Sequence, residues 1–187
     1  MKVSRDQAVR NREMVIDAAS HLFRARGVEG VGIGEVMRAC GLTHGGFYNQ
    51  FDSKEALAAE ACALSLANSA DRWRAVAAQA GDPAATTAIA ADYLSDRNRD
   101  APETGCALVA LAPDAARRGG DLADAFRHGF EGLAAVLQQA GPDMDRPATL
   151  ARMAQMVGAM VLARGVADAA LSDEILAATR EALGVSA

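Results

Sequence analysis

The chain has 187 residues, 51% of them hydrophobic and 23% charged, with a formal net charge of −5; this excludes a disordered tail and allows one ordinary domain or two small ones around a real core. Forty-four alanines against four isoleucines and eight aromatics favour helix and starve a β-sheet, so the expected fold class is all-α with about nine helices. The charge is uneven: residues 1–55 hold eight Lys/Arg against seven Asp/Glu and the remainder eleven against seventeen, so charge alone neither demands nor excludes a nucleic-acid partner.

Along the chain, Val15, Ala18, Ala19, Leu22 and Phe23 form one apolar stripe of a first helix, which ends at Gly27 behind the basic pair Arg24 and Arg26. A short helix is expected from Ile33 to Cys40, stopped by Gly41, and a second from Thr43 to Gln50 with Thr43 as its N-cap. Two short helices around the turn Cys40-Gly41-Leu42-Thr43 have helix-turn-helix spacing. Ser53 opens a long helix to about Ala80. Gly81-Asp82-Pro83 then reads as C-cap, N-cap and first-turn proline. Further breaks fall at Pro102–Gly105, at Gly119-Gly120-Asp121, and at Gly141-Pro142 with Asp145 as the next N-cap; Leu171-Ser172-Asp173-Glu174 is expected to start the last helix. The longest apolar stretch, Met156 to Ala163, falls far short of the ~20 residues of a membrane span. Met1 to Asp6 has no signal-peptide core, so a cytoplasmic protein without membrane association is expected.

The segment Gly41 to Leu57 carries the functional signal. Gly45 and Gly46 each cost a helix about 1 kcal/mol relative to alanine, which a helix that only had to pack would avoid. A helix pressed against a sugar-phosphate wall gains from missing side chains. Phe47 and Phe51, four apart, are expected to anchor the segment to the core, leaving Thr43, His44, Tyr48 and Asn49 to face outward. Lys54 stands in the first turn of the next helix, against the helix dipole, where a phosphate would justify it. Gly30-Val31-Gly32-Ile33-Gly34 lacks the spacing and the preceding strand of a dinucleotide loop.

The run Gly41-Leu42-Thr43-x-Gly-Gly-Phe-Tyr-x-x-Phe-x-Ser-Lys-Glu-x-Leu resembles the DNA-binding domain of the TetR/AcrR family of transcriptional regulators. The resemblance implies an N-terminal three-helix helix-turn-helix domain over residues 1–55 and a larger helical ligand-binding and dimerisation domain over residues 56–187. It implies a homodimer on a double-stranded, pseudo-palindromic operator, with phosphate contacts from Thr43, Tyr48 and Lys54, and with His44, Gly45, Gly46 and Asn49 facing bases or the adjoining backbone. Two positions depart from the family pattern: Gln50 stands where a histidine is usual, and Gly32 where a Thr or Ser opens the second helix.

Cys40, Cys62 and Cys106 are widely spaced, so neither a disulfide framework nor a metal site is expected, and no cofactor is implied. Cys40 and Cys62 fall on apolar stripes. Cys106 follows Pro102-Glu103-Thr104-Gly105 at an expected helix N-terminus, where the dipole would lower the thiol pKa. A small-molecule or electrophile effector is expected in the C-terminal domain, its pocket drawn from Cys106, Trp73, Tyr93, Phe126 and Phe130; the acidic C-terminal half favours a cationic one. The helix carrying Met153, Met156 and Met160 is apolar nearly all round, so it lies at the domain centre or in a dimer interface with the last helix. The leading reading is therefore a ligand- or thiol-responsive transcriptional regulator, a repressor as the resemblance implies, and not an enzyme. The alternatives are a thiol-based redox enzyme using Cys106 and a helical protein-interaction module.

Overall fold

The computed structural model describes residues 5–185; the residues before and after, including most of the segment read for a signal peptide, lie outside the described residues. Among the described residues there are nine α-helices, one 3-10 helix and no strand: α1 (Arg5–Arg26), α2 (Ile33–Ala39), the 3-10 segment (His44–Asn49), α3 (Lys54–Ala80), α4 (Ala85–Tyr93), α5 (Asp96–Asp100), α6 (Ala107–Arg118), α7 (Gly120–Ala140), α8 (Arg146–Gly165) and α9 (Ala169–Ala182). The fold is all-α. None of these helices is long and apolar enough to cross a membrane.

The long helix α3 is the axis of the molecule. Ser53 starts it, accepting a hydrogen bond from the Ala56 amide at 3.0 Å, and Gly81 ends it at φ +67, a conformation that favours glycine. Its main partner is α7, with α1 and α4 on other faces, while α8 packs chiefly against α9. One contiguous core runs from Val15, Ala19 and Phe23 through Phe47, Leu57 and Leu66 to Leu133, Met156 and Leu176. The helix α6 touches α1, α3, α7 and α8, so it is the joint between the N-terminal helices and the rest.

Four boundaries differ from the sequence expectation, each for a local reason. The expected Thr43–Gln50 helix is a tight 3-10 segment: the Gly46 amide donates to the Thr43 carbonyl, three residues back, and Thr43 holds the N-cap position without a side-chain capping bond. The helix after Gly81 starts at Ala85, not at Pro83, its first α-type bond running from the Ala88 amide to the Ala84 carbonyl. The short helix α5 was not foreseen; Ser95 caps it by accepting from the Asn98 amide at 3.3 Å. The last helix starts at Ala169, because the Asp168 carboxylate takes the Leu171 amide at 2.9 Å and opens the helix one turn early.

The α3–α7 contact is close enough to need a glycine. A Cβ on Gly129 of α7 would stand 2.5 Å from the Cβ of the fully buried Leu66 on α3. Gly129→Ala is therefore expected to destabilise the protein by about 1–2 kcal/mol, because overpacking outweighs the ~1 kcal/mol that alanine gains as a helix former. Thermal unfolding decides the sign, and a rise in Tm would contradict the close packing.

Candidate functional site

The N-terminal helices present a short polar ridge. Gly41 makes the turn after α2 at φ +69, and the chain returns through bonds from the Gly41 amide to Arg38 O at 3.0 Å and from the Leu42 amide to Met37 O at 2.8 Å. Phe47 and Phe51 are buried and stack with ring centroids 5.4 Å apart; the Arg12 guanidinium lies 4.7 Å above the Phe51 ring. These anchors hold the 3-10 segment on the core and turn Thr43, His44, Gly45, Tyr48 and Asn49 to the outside. Tyr48 is 63% exposed, held edge-on between Phe47 (5.2 Å) and His44 (6.2 Å). Lys54 is half-buried at the first position of α3.

The two glycines of the ridge are not required by the fold. A Cβ on Gly45 would meet nothing within 4 Å, and one on Gly46 would make ordinary contacts of 3.6 Å with Met37 and Thr43. Neither has a positive φ. The small size of Gly45 therefore leaves room on the outer surface, while Gly46 lies over Met37 and Thr43 and relieves no clash there.

The expected effector residues divide. Trp73, Tyr93 and Cys106 come together on the wall of a chamber of about 280 Å³ bounded by α3, α4, α5 and the segment before α6. The Trp73 and Tyr93 rings meet edge-to-face at 5.8 Å. Phe126 and Phe130, four apart on α7, instead pack half-buried against the main core and do not line it. Sequence reading missed the chamber's polar lining, Ser69, Arg72, Asp92, Arg97, Asn98 and Thr104, because it is assembled from three helices and a loop, with no shared spacing.

The thiol expectation needs correcting. Cys106 is the N-cap residue of α6, and the nearby Leu108 backbone does favour the thiolate. Cys106 is also buried, and the cost of burying a charge outweighs that help and pushes its pKa up. Cys62 is pushed up to about 12 by burial, and Cys40, on the edge of the core, is raised as well. The Tyr93 hydroxyl is buried beside Cys106; the thiol is a weak acceptor and completes no ordinary bond to it. Behind both lies Arg164 of α8, whose guanidinium donates to the Asn98 carbonyl.

Two buried groups connect this region to the N-terminal helices. Arg24 of α1 donates to the Gly105 carbonyl at 3.1 Å, one residue before Cys106. Asp114 of α6, almost fully buried, accepts from the Val28 amide at 3.0 Å, just after α1. Arg118, at the end of α6, pairs with Glu29 and, at 2.9 Å, with Glu55. Aromatic disulfide reagent added to the native protein is expected to modify Cys40 first, with Cys62 and Cys106 reacting only at rates limited by opening of the fold. Fast labelling of Cys106 at neutral pH, located by mass spectrometry, would restore the activated thiolate.

The profile of the bacterial regulatory proteins of the tetR family matches residues 15–61, the segment that contains α2, the turn and the ridge. The HTH-type transcriptional regulator AcrR of Shigella flexneri is 34% identical over 65 residues, 35% of this chain; the match spans 30% of that protein's length. Two solved structures share the fold over nearly the whole length. The reduced form of E. coli NemR has a TM-score of 0.74 at 23% identity, covering 92% of this chain and 96% of that one. A TetR-family regulator from Cytophaga hutchinsonii has a TM-score of 0.75 at 21% identity, covering 98% and 97%. Residues 15–61 thus carry the signature of the tetR-family regulatory proteins, and the helical architecture of nearly the whole chain is shared with TetR-family structures.

Proposed function

We propose that the chain is a ligand-responsive repressor that works in the cytoplasm as a homodimer on a pseudo-palindromic DNA operator. In this reading residues 1–55 bind DNA, and residues 56–187 dimerise and bind the effector. The observation that carries it is the pair Gly45-Gly46, which costs helix stability and satisfies no internal contact. An outside surface that must approach the backbone explains the pair, and a major-groove wall is such a surface. Thr43, Tyr48 and Lys54 then reach phosphates, while His44 and Asn49 meet base edges beside Gly45 and Gly46.

Dimerisation is supported by the outer face of α8 and α9. Ala151, Ala154, Gly158, Val161, Leu162 and Gly165 recur at three- and four-residue spacing along α8, and Val161 (47% exposed) and Leu162 (58%) stand open on it. Leu171 on α9, 45% exposed, continues the face. A two-fold copy of this face buries it in a four-helix bundle, with small residues allowing close approach. The burial of Cys106, which raises its thiol pKa, supports a ligand response over a thiol switch.

Selection of duplexes from a random pool, followed by fluorescence anisotropy across a salt series, tests the reading. Two inverted half-sites about 34 Å apart, and affinity that falls steeply with salt, are expected. Lys54→Ala is expected to weaken all sequences alike and to flatten the salt slope by about one per subunit, whereas Asn49→Ala is expected to cost about 1–3 kcal/mol and relax the preference at one position. No enriched sequence, or salt-independent binding, would move the chain to a protein-interaction role.

A further inference from the structure

The chamber beside Trp73 has a charge and a size of its own. Asp92 is paired with Arg72 through Nε at 2.6 Å and through Nη2, and Arg97 adds a second guanidinium at 3.3 Å. Two cations on one carboxylate leave one positive charge at the rim. Asp92 is the one carboxylate among the described lining residues, and Arg97 engages it by a single long bond, so most of its planar fork is unused. Deeper in, the Tyr93 hydroxyl is buried beside the Cys106 thiol, a weak acceptor, and has no ordinary hydrogen-bond partner. The Trp73 and Tyr93 rings, packed edge-to-face, supply the apolar part of the lining between these two donors. The volume of about 280 Å³ is at the small end for ligand cavities, enough for one ring and its polar group.

We propose that this chamber binds a small organic acid: its carboxylate takes the surplus Arg97 guanidinium at the rim, its planar body lies against Trp73, and an oxygen accepts from Tyr93. The local sign is opposite to the cationic effector that the acidic C-terminal half favoured, because a whole-domain charge does not set the field in a walled pocket. The inference rests on reading the chain as an effector-responsive regulator, since the chamber ends at Cys106, next to the Gly105 carbonyl that Arg24 of the N-terminal unit holds.

Trp73 is the sole tryptophan of the chain and therefore reports on the chamber directly. The full-length protein is titrated with benzoate, benzamide and benzylamine, which share a ring and differ in charge, by calorimetry and by Trp73 emission. Benzoate is expected to bind at least about tenfold more tightly than the other two, with a saturable change in Trp73 emission. Arg97→Gln is expected to bring benzoate down to the benzamide level. Tyr93→Phe is expected to weaken benzoate several-fold without lowering Tm, because the hydroxyl it removes has no ordinary hydrogen-bond partner in the free protein. No saturable benzoate binding at millimolar concentration, equal binding of benzamide or benzylamine, or unchanged benzoate affinity in Arg97→Gln would each overturn the proposal. Operator binding measured without any acid is independent of these results. Benzoate that occupies the chamber yet leaves DNA binding unchanged upholds the chamber and removes effector control from the regulatory reading.

Discussion

A buried carboxylate is the central polar tie between α6 and the N-terminal helices. Asp114 lies in the interior turn of α6 and accepts the Val28 amide, the first free backbone donor after the turn that ends α1. Gly27 is at φ +71 with the Asp114 oxygen 3.2 Å from where its Cβ would be, so the turn needs a glycine both for its conformation and for the approach of the acid. A charge-assisted bond of this kind contributes about 1.5–3 kcal/mol; the other Asp114 oxygen accepts from Arg117 at 2.9 Å on the same helix. With Arg24 on Gly105 at one end of α6 and Arg118 on Glu29 and Glu55 at the other, the helix is tied to the N-terminal unit along its whole length.

That arrangement gives the proposed regulation a physical route. The Cys106 end of α6 borders the chamber, and the Asp114 end fixes the turn that leads into α2 and the ridge. Pro113, inside α6, has no N–H for the Val109 carbonyl, so the helix bends more readily there than an unbroken one. An occupant that shifts the first turn of α6 changes the angle at which the ridge is presented. Coupling of the usual 1–3 kcal/mol needs only that the two positions of α6 differ in their fit to ligand and to DNA. In the proposed dimer through α8 and α9, the same small rotation would be applied twice and would alter the spacing of the two ridges.

Where the information was local, the sequence announced it. Gly41, Phe47, Phe51 and Ser53 act through neighbours within a few residues, and each does in the structure what its type and spacing imply. Caps behaved less regularly: Asp168 outcompeted the acidic cluster beginning at Ser172 by one turn, and the segment His44–Asn49 is a 3-10 helix where an α-helix was expected. What stayed hidden was long-range pairing. Asp114 and Val28 are 86 positions apart, and Arg24 and Gly105 81, with no periodicity to mark them. The thiol expectation failed for the same reason: the helix terminus that favours its charge is visible in sequence, whereas the burial that raises its pKa comes from packing of distant segments and outweighs the help of Leu108, Tyr93, Ser69 and Arg164. Phe126 and Phe130 carried the composition of a pocket and the i, i+4 spacing of a core face; the spacing decided.

The most direct test of this account is native-state hydrogen exchange at the Val28 amide, compared between the wild type and Asp114→Asn. If the carboxylate ties the halves together, Val28 in the wild type exchanges only in step with the most protected core amides of α3, and Asp114→Asn lets it exchange through local opening at least about tenfold faster. A wild-type Val28 that exchanges at the rate of an exposed loop would contradict the account, because the N-terminal unit would then move independently of α6.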